Sequence, residues 1–283
     1  MSFRARLGLD LTEFEKAQRE VARAIAPVQK QLQSVGRAMS MYVTAPLAGI
    51  GTAALKVGGD FQYAMNRVST LSRGTGDEVE ALRKQAQELG RTTQFSASQA
   101  ADAMGFLAMA GFEANDILGT MPATLDLAAA SGMDLARTAD TMSNIMQGYG
   151  LATEDAARAS DVLVAAMTRS NTNLEQLGDA MKYAGPVAKG MGISFEETAA
   201  ALGMMGNAGI QASMAGTSLR GALTRLASPV GSAAGVMRDL GLNVTNADGS
   251  MKSLSEIVEQ LERSGASTTQ MIEIFGQRAG PAM

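Results

Sequence analysis

The chain has 283 residues, a formal net charge of −4, and neither Cys nor His. That excludes a disulfide framework, Cys–His and Ser–His nucleophile pairs and zinc-hydrolase motifs, and the acidic balance argues against specific nucleic-acid binding. Hydrophobic residues make up 46% of the chain but aromatics only 4%, with 20 Met and 31 Gly, so thin-sided helices packed with Met at the gaps are expected.

Charge is uneven along the chain. Residues 1–60 hold 8 Lys/Arg against 5 Asp/Glu and the rest 16 against 23, a basic arm before an acidic body. No apolar run follows Ser2-Phe3-Arg4-Ala5-Arg6, so no secretory signal is expected. Phe3, Ala5, Leu7, Leu9 and Leu11 alternate with Arg4, Arg6, Gly8 and Asp10, which predicts a short strand. Thr12 and Glu15 then form a capping-box pair, and a helix follows. It carries heptads: Phe14, Val21, Val28, Val35 and Tyr42 in one set, Gln18, Ile25, Leu32 and Met39 in the other. Pro27 should kink it. This seam either joins copies of the chain into a homo-oligomer or docks on the chain's own body. Its candidate self-association residues are Phe14, Val21, Ile25, Val28, Leu32, Val35 and Met39.

Residues 42–59 form an apolar stretch of near-membrane length, but Thr44, Pro46, four glycines and Lys56 dilute it, and a spanning helix is not expected. Gly49-Ile50-Gly51-Thr52-Ala53-Ala54 spells a dinucleotide fingerprint, yet no buried strand leads into it. No cofactor is expected. We place the domain boundary here. Residues 1–59 are the strand, coiled-coil-like arm and Pro/Gly-rich segment, and residues 60–283 a helical-hairpin core domain.

Asp60 to Val68 belongs to the next helix, and Thr75 with Glu78 caps another bearing Val79, Leu82, Ala86 and Leu89 on one face. Beyond Gly90 a unit repeats. Asp102-Ala103-Met104 returns as Asp140-Thr141-Met142 and Asp179-Ala180-Met181, 38 and 39 residues on. Gly111-Phe112 and Asn115-Asp116 divide the first unit, as Gly150-Leu151 and Thr153-Glu154-Asp155 divide the second. Caps at Ser96–Gln99, Thr172–Glu175 and Ser194–Glu197 mark helix starts, and the third unit is irregular at Gly185-Pro186 and Gly190-Met191-Gly192. A helix–turn–helix unit used more than once predicts stacked hairpins.

The central hairpin has one helix rising from Glu196 and breaking at Gly209. A second helix is expected to start near Thr217, capped by Thr217 or Ser218, and to end at Ala227-Ser228-Pro229. Its candidate structural residues are Gly209, Gly216, Thr217, Arg220 and Pro229. Past Pro229 come a helix over 231–240, a small β-hairpin over 242–252 turning at Asn246-Ala247-Asp248-Gly249, and helices after Ser253 and Ser267. The turn is partly like a calcium loop, but Val244 and Ser255 stand where ligands belong, so no metal is expected. Glu196-Glu197 and Asp77-Glu78 complement helix dipoles rather than act in catalysis. The expected fold is all-α: stacked helical hairpins, a long N-terminal heptad-bearing helix and one small β-hairpin.

Ala215-Gly216-Thr217-Ser218-Leu219-Arg220, with Arg225-Leu226 and Pro229, resembles the core of phage tail tape measure proteins. So do Val43-Thr44-Ala45-Pro46-Leu47, Lys56, the runs from Phe61 to Val68 and from Leu89 to Ala97, Phe95 to Phe112, Gly185-Pro186 and Asp248-Gly249. Gln62 stands where that pattern expects a glutamate. The likeness covers residues 43–275. It implies a non-catalytic structural virion protein that lies in the lumen of the growing tail tube and sets tail length. It also implies genome ejection through the host envelope, with contact to the host membrane. The partners it implies are the tail tube, tail-initiation and tail-assembly chaperone proteins, met in the host cytoplasm during assembly and in the virion tail thereafter. Family members are usually much longer, so a fragment, a remnant and a short member all remain open. A helical scaffold binding a peptide, unrelated to tails, is the alternative.

Overall fold

Short polar residues fix most helix starts in this chain, each taking up a backbone N–H that the first turn leaves unpaired. In a computed structural model describing residues 45–277 and Gly280, twelve α-helices follow in order. They are α1 (Ala45–Leu71), α2 (Gly76–Thr92), α3 (Ala97–Met109), α4 (Ala114–Ser131), α5 (Leu135–Tyr149), α6 (Ala156–Arg169), α7 (Leu174–Gly190), α8 (Phe195–Asn207), α9 (Ala212–Ala227), α10 (Ser232–Asp239), α11 (Leu254–Ser264) and α12 (Thr268–Phe275). Thr75, Ser96, Ser194, Ser253 and Ser267 close reciprocal capping boxes. At the first, the Thr75 N–H and hydroxyl both bond the Glu78 carboxylate, which holds that carboxyl below its ordinary pKa. The expected strand, the Thr12 cap and the whole heptad seam lie outside the described residues.

Two units divide the chain, Met1–Asp60 and Phe61–Met283. The described part of the first is the beginning of α1, helical without interruption through Gly49, Gly51, Gly58 and Gly59. In the second, helices pair into hairpins and the hairpins stack in two layers. Helices α3, α5, α7 and α9 pack side by side in one layer, and α4, α6 and α8 in the other, with α2 against α3 and α4. A lone hairpin cannot bury its apolar face, whereas a neighbour one step along the stack covers it.

Polar ties between neighbours show the step. Thr153 Oγ1 donates to Asp116 Oδ1 at 2.7 Å and Arg137 Nη2 to Glu175 Oε1 at 2.6 Å, across 37 and 38 residues. Gln147 donates to the Ala110 carbonyl and Arg158 pairs with Glu196 across the same separations. The spacing of the sequence echoes is therefore the translation of the stack. Its interior is Met142, Met146, Leu163, Leu174 and Phe195 in the later hairpins, and Met65, Met104, Leu107, Ile117 and Met121 in the earlier ones. Each such side chain contributes about 1.5–3 kcal/mol on burial. A third cluster joins Ala222 and Leu226 of α9 to Met237, Ile257, Leu261, Ile274 and Phe275.

Four expectations need correction. The β-hairpin over 242–252 is absent: no strand occurs among the described residues, and Thr245 and Met251 form an isolated antiparallel bridge. Bonds from Asn246 N to Ser250 O (2.8 Å) and Lys252 N to Val244 O (2.9 Å) close a turn, but no third strand supports it, and two short arms alone do not make a stable ladder. Helix α9 starts at Ala212 rather than near Thr217, with Gln211 at the N-cap; Thr217 lies inside it and donates its hydroxyl back to Met214 O at 3.1 Å. The cap of α7 is Asn173 with Gln176, one residue beyond the expected Thr172 and Glu175. Finally, α7 continues through Gly185 and Pro186; the proline lacks the N–H that would bond the Lys182 carbonyl, and Pro186 and Lys182 both lie on the exposed side of the helix.

Candidate functional site

The central hairpin is built around a close backbone approach. A Cβ on Gly216 would sit 2.2 Å from the Ala180 carbonyl oxygen, so α9 lies on α7 nearer than any side chain would permit. Ala180 belongs to the repeated Asp-x-Met phrase, in Asp179-Ala180-Met181. Gly209, at φ +83°, turns the chain between α8 and α9 in a conformation that favours glycine. Arg220 reaches over the Tyr183 ring at 6.0 Å, tying α9 to α7 on the outer side. Pro229 is half-buried just after the end of α9. The predicted residues Gly209, Gly216, Thr217, Arg220 and Pro229 thus belong to one helix pair, where they shape packing and line neither of the grooves described next.

The surface of interest is beside them, on α8. In the layer of α4, α6 and α8 the packing loosens along the stack, and α8 is left with an open groove on each side. One groove, about 340 Å³, lies between α6 and α8 and is lined by Val162, Ala165, Ala166, Ala199, Ala200, Gly203 and Met204, with Arg169 and Glu196 among its polar residues. The other, about 390 Å³, lies between α8 and α11 over a floor containing Leu219 of α9. Its walls are Ala200, Ala201, Met204 and Met205 on one side and Leu254 and Val258 on the other. Ala200 and Met204, one helical turn apart, form the ridge between the grooves, and Met204 is 61% exposed.

The second groove has an acidic margin. Glu197, Glu259 and Glu262 line it, and no Lys or Arg does. Glu197 is committed to structure: it accepts from Ser194 in the α8 cap and from the Leu254 N–H at 3.1 Å, which ties the start of α11 to the start of α8. Glu259 pairs with Arg263, a neighbour on α11 outside the lining. Away from the Glu197 tie the two helices have little contact, and the groove opens there.

The chemistry this surface can perform is binding by apolar burial with charge selection. Among the described residues, no three acidic, His or Cys side chains gather to hold a metal ion. The Tyr149 phenol, enclosed edge-on against the Phe195 ring, is pushed up to about 12 by burial, against the opposing pull of Thr198. It stays neutral at ordinary pH and packs. No described helix is long and apolar enough to cross a membrane. Sequence reasoning missed the groove residues, although Met204 was legible as an apolar residue on a thin-sided helix.

Residues 83–277 match the family described as phage-related minor tail protein. The chain is 38% identical over 294 residues to the tape measure protein of Pneumococcus phage Dp-1, covering 98% of this chain and 26% of that protein. It is 35% identical over 213 residues to the probable tape measure protein of Escherichia phage P2, covering 72% and 26%. A probable tape measure protein of a Clostridium phage, phiCD119, is 25% identical over 182 residues, covering 61% and 19%. No solved structure matches. The chain spans about a quarter of the length of the first two relatives. The chain belongs to the phage-related minor tail proteins, the family of the tail tape measure proteins.

Proposed function

We propose that this chain is the hairpin core of a tape measure protein, a structural part of the phage tail that takes part in setting tail length and in genome ejection through the host envelope. The observation that carries the reading is the 38% identity to the Dp-1 tape measure protein over 98% of the chain. The role needs no catalytic step. Its partners in this reading are the tail tube, tail-initiation and tail-assembly chaperone proteins in the host cytoplasm, then the host membrane during ejection. Residues 1–59 serve as an arm through which copies associate along the heptad seam, and residues 60–283 as the body.

In this reading the body opens within the tail. Neighbouring hairpins approach closely at glycines, such as Gly216 on Ala180 and Gly178 on Thr141, and between them bury Leu, Met and Phe side chains. Those larger groups contribute about 1.5–3 kcal/mol each, so opening requires a tail partner that covers the same faces. Opened into continuous helix, a 38-residue unit spans about 57 Å. In-frame deletion of residues 133–170 from the full-length tail protein should therefore shorten tails by about 57 Å, and duplication of the same segment should lengthen them equally. Tails of unchanged length in both cases would exclude this region from the ruler.

A further inference from the structure

We propose that the groove between α8 and α11 receives a basic amphipathic helix from another protein. The inference stands on the groove itself and does not depend on the tail reading.

Three features of the groove converge on that occupant. Its length is the first. The lining on α8 runs from Glu197 to Met205 and on α11 from Leu254 to Glu262, eight residue steps in each case, or about 12 Å of helix. Apolar anchors at i, i+4 and i+7 of a docked helix span about 10.5 Å, so one face of two turns fills the groove. Wall chemistry is the second. Met204 and Met205 face Val258 and Leu254 across a floor containing Leu219, and Met adapts its shape to irregular apolar partners. Met204 remains 61% exposed, which leaves a large apolar side chain at the mouth without a cover.

Charge is the third feature, and it selects the partner. The lining holds three glutamates and no cation, and Glu262 projects from an exposed position at the open end. A helix whose apolar stripe is flanked by Lys or Arg meets opposite charge at that margin, whereas one flanked by Glu or Asp meets repulsion. The groove on the other side of α8 carries both signs, Arg169 and Glu196, and lacks this preference.

The test uses the whole chain and two synthetic helical peptides with Leu at i, i+4 and i+7, one flanked by Lys and one by Glu, read by fluorescence anisotropy. The Lys peptide should bind about tenfold tighter than the Glu peptide, with the gap closing as salt is raised. Met204→Ser should weaken both peptides, and Glu262→Lys should narrow or reverse the preference between them. Met109→Ser, at an exposed methionine on α3, should change neither. Both Met204 and Glu262 are exposed, so the variants retain the fold, which circular dichroism checks. Equal binding of the two peptides, or full binding by Met204→Ser, overturns the proposal. Self-association of the unmodified chain that Met204→Ser abolishes also overturns it, since the occupant is then a second copy.

Discussion

Gly216→Ala is the sharpest test of the stack, because the added methyl has nowhere to go. Its Cβ would lie 2.2 Å from the Ala180 oxygen and 2.8 Å from the Ala180 carbonyl carbon and Cα, all backbone atoms within α7. Ordinary contact begins near 3.4 Å, so the two helices must part by about 1.2 Å, the difference between 3.4 and 2.2. Backbone in the middle of a helix does not rotate aside, and moving α9 bodily pulls Ala215, Leu219 and Leu223 from the main core. Overpacking costs about 1–3 kcal/mol, and the rigid obstacle places this case near the upper end. Replacing glycine within a helix returns about 1 kcal/mol, leaving a net loss of about 2 kcal/mol. For a body of this size that lowers the melting temperature by about 4–8 °C. Gly221→Ala, five residues along the same helix and on a different face, provides the control. Nothing lies within 4 Å of its Cβ, so propensity acts alone and melting should rise by about 1–4 °C. Thermal unfolding followed by far-UV circular dichroism reads both. A Gly216→Ala protein melting at or above the unmodified chain would falsify the close approach of α9 to α7.

A second test addresses the register between α5 and α7. A Cβ on Gly178 would meet Thr141 Cγ2 at 2.6 Å, while the other Thr141 atoms stand at 3.6 Å or more. Gly178→Ala should cost about 1–2 kcal/mol, and Thr141→Ser, which removes that methyl, should restore most of it; simple addition of the two effects rules out the pairing. In the heptad segment, Ile25→Asp with Leu32→Asp puts charge into the seam and should convert an oligomer to a monomer in sedimentation. An unmodified chain that is already monomeric at high micromolar concentration contradicts a self-association role for those residues.

What the sequence made legible follows from how local each signal is. Capping boxes are written within four residues, and Thr75, Ser96, Ser194, Ser253 and Ser267 all close them as their neighbours predict. The repeated Asp-x-Met phrase placed α3, α5 and α7 in one layer, since a unit that recurs buries the same face each time. Local signals failed where two competed. Thr217 and Ser218 look like a helix start after Gly216, yet that glycine serves contact with Ala180 and the helix passes through it. Gly185-Pro186 looks like a break, yet Gly185 packs on the Tyr149 ring and Pro186 faces solvent. At 242–252 the turn residues did their part: Asp248 accepts from the Ser250 N–H and hydroxyl at 2.9 and 2.6 Å. A ladder also needs a neighbouring strand, and a turn motif carries no information about one.

The groove is less legible still, because the apolar pattern of α8 does not mark which of its residues lack a neighbour. Helices α4 and α8 are both Ala-rich, with Met and Leu at core spacing, and in both the inner face is buried. What exposes Met204 is how little its neighbours cover. On the α6 side the groove is lined by the small residues Ala165, Ala166 and Gly203, and α11 is tied to α8 by the bond between Glu197 and the Leu254 N–H. That fastening joins residues 57 apart and involves a backbone N–H that every non-proline residue possesses. Small side chains on one side and sparse contact beyond that tie on the other leave the ridge of Ala200 and Met204 uncovered. The apolar groove thus arises from contacts that are not made, and in its acidic margin two of the three glutamates have a local reason to be there: Glu197 as a cap, Glu259 paired to Arg263. Glu262, which forms no ion pair among the described residues, is the residue on which charge selection by the groove most directly turns.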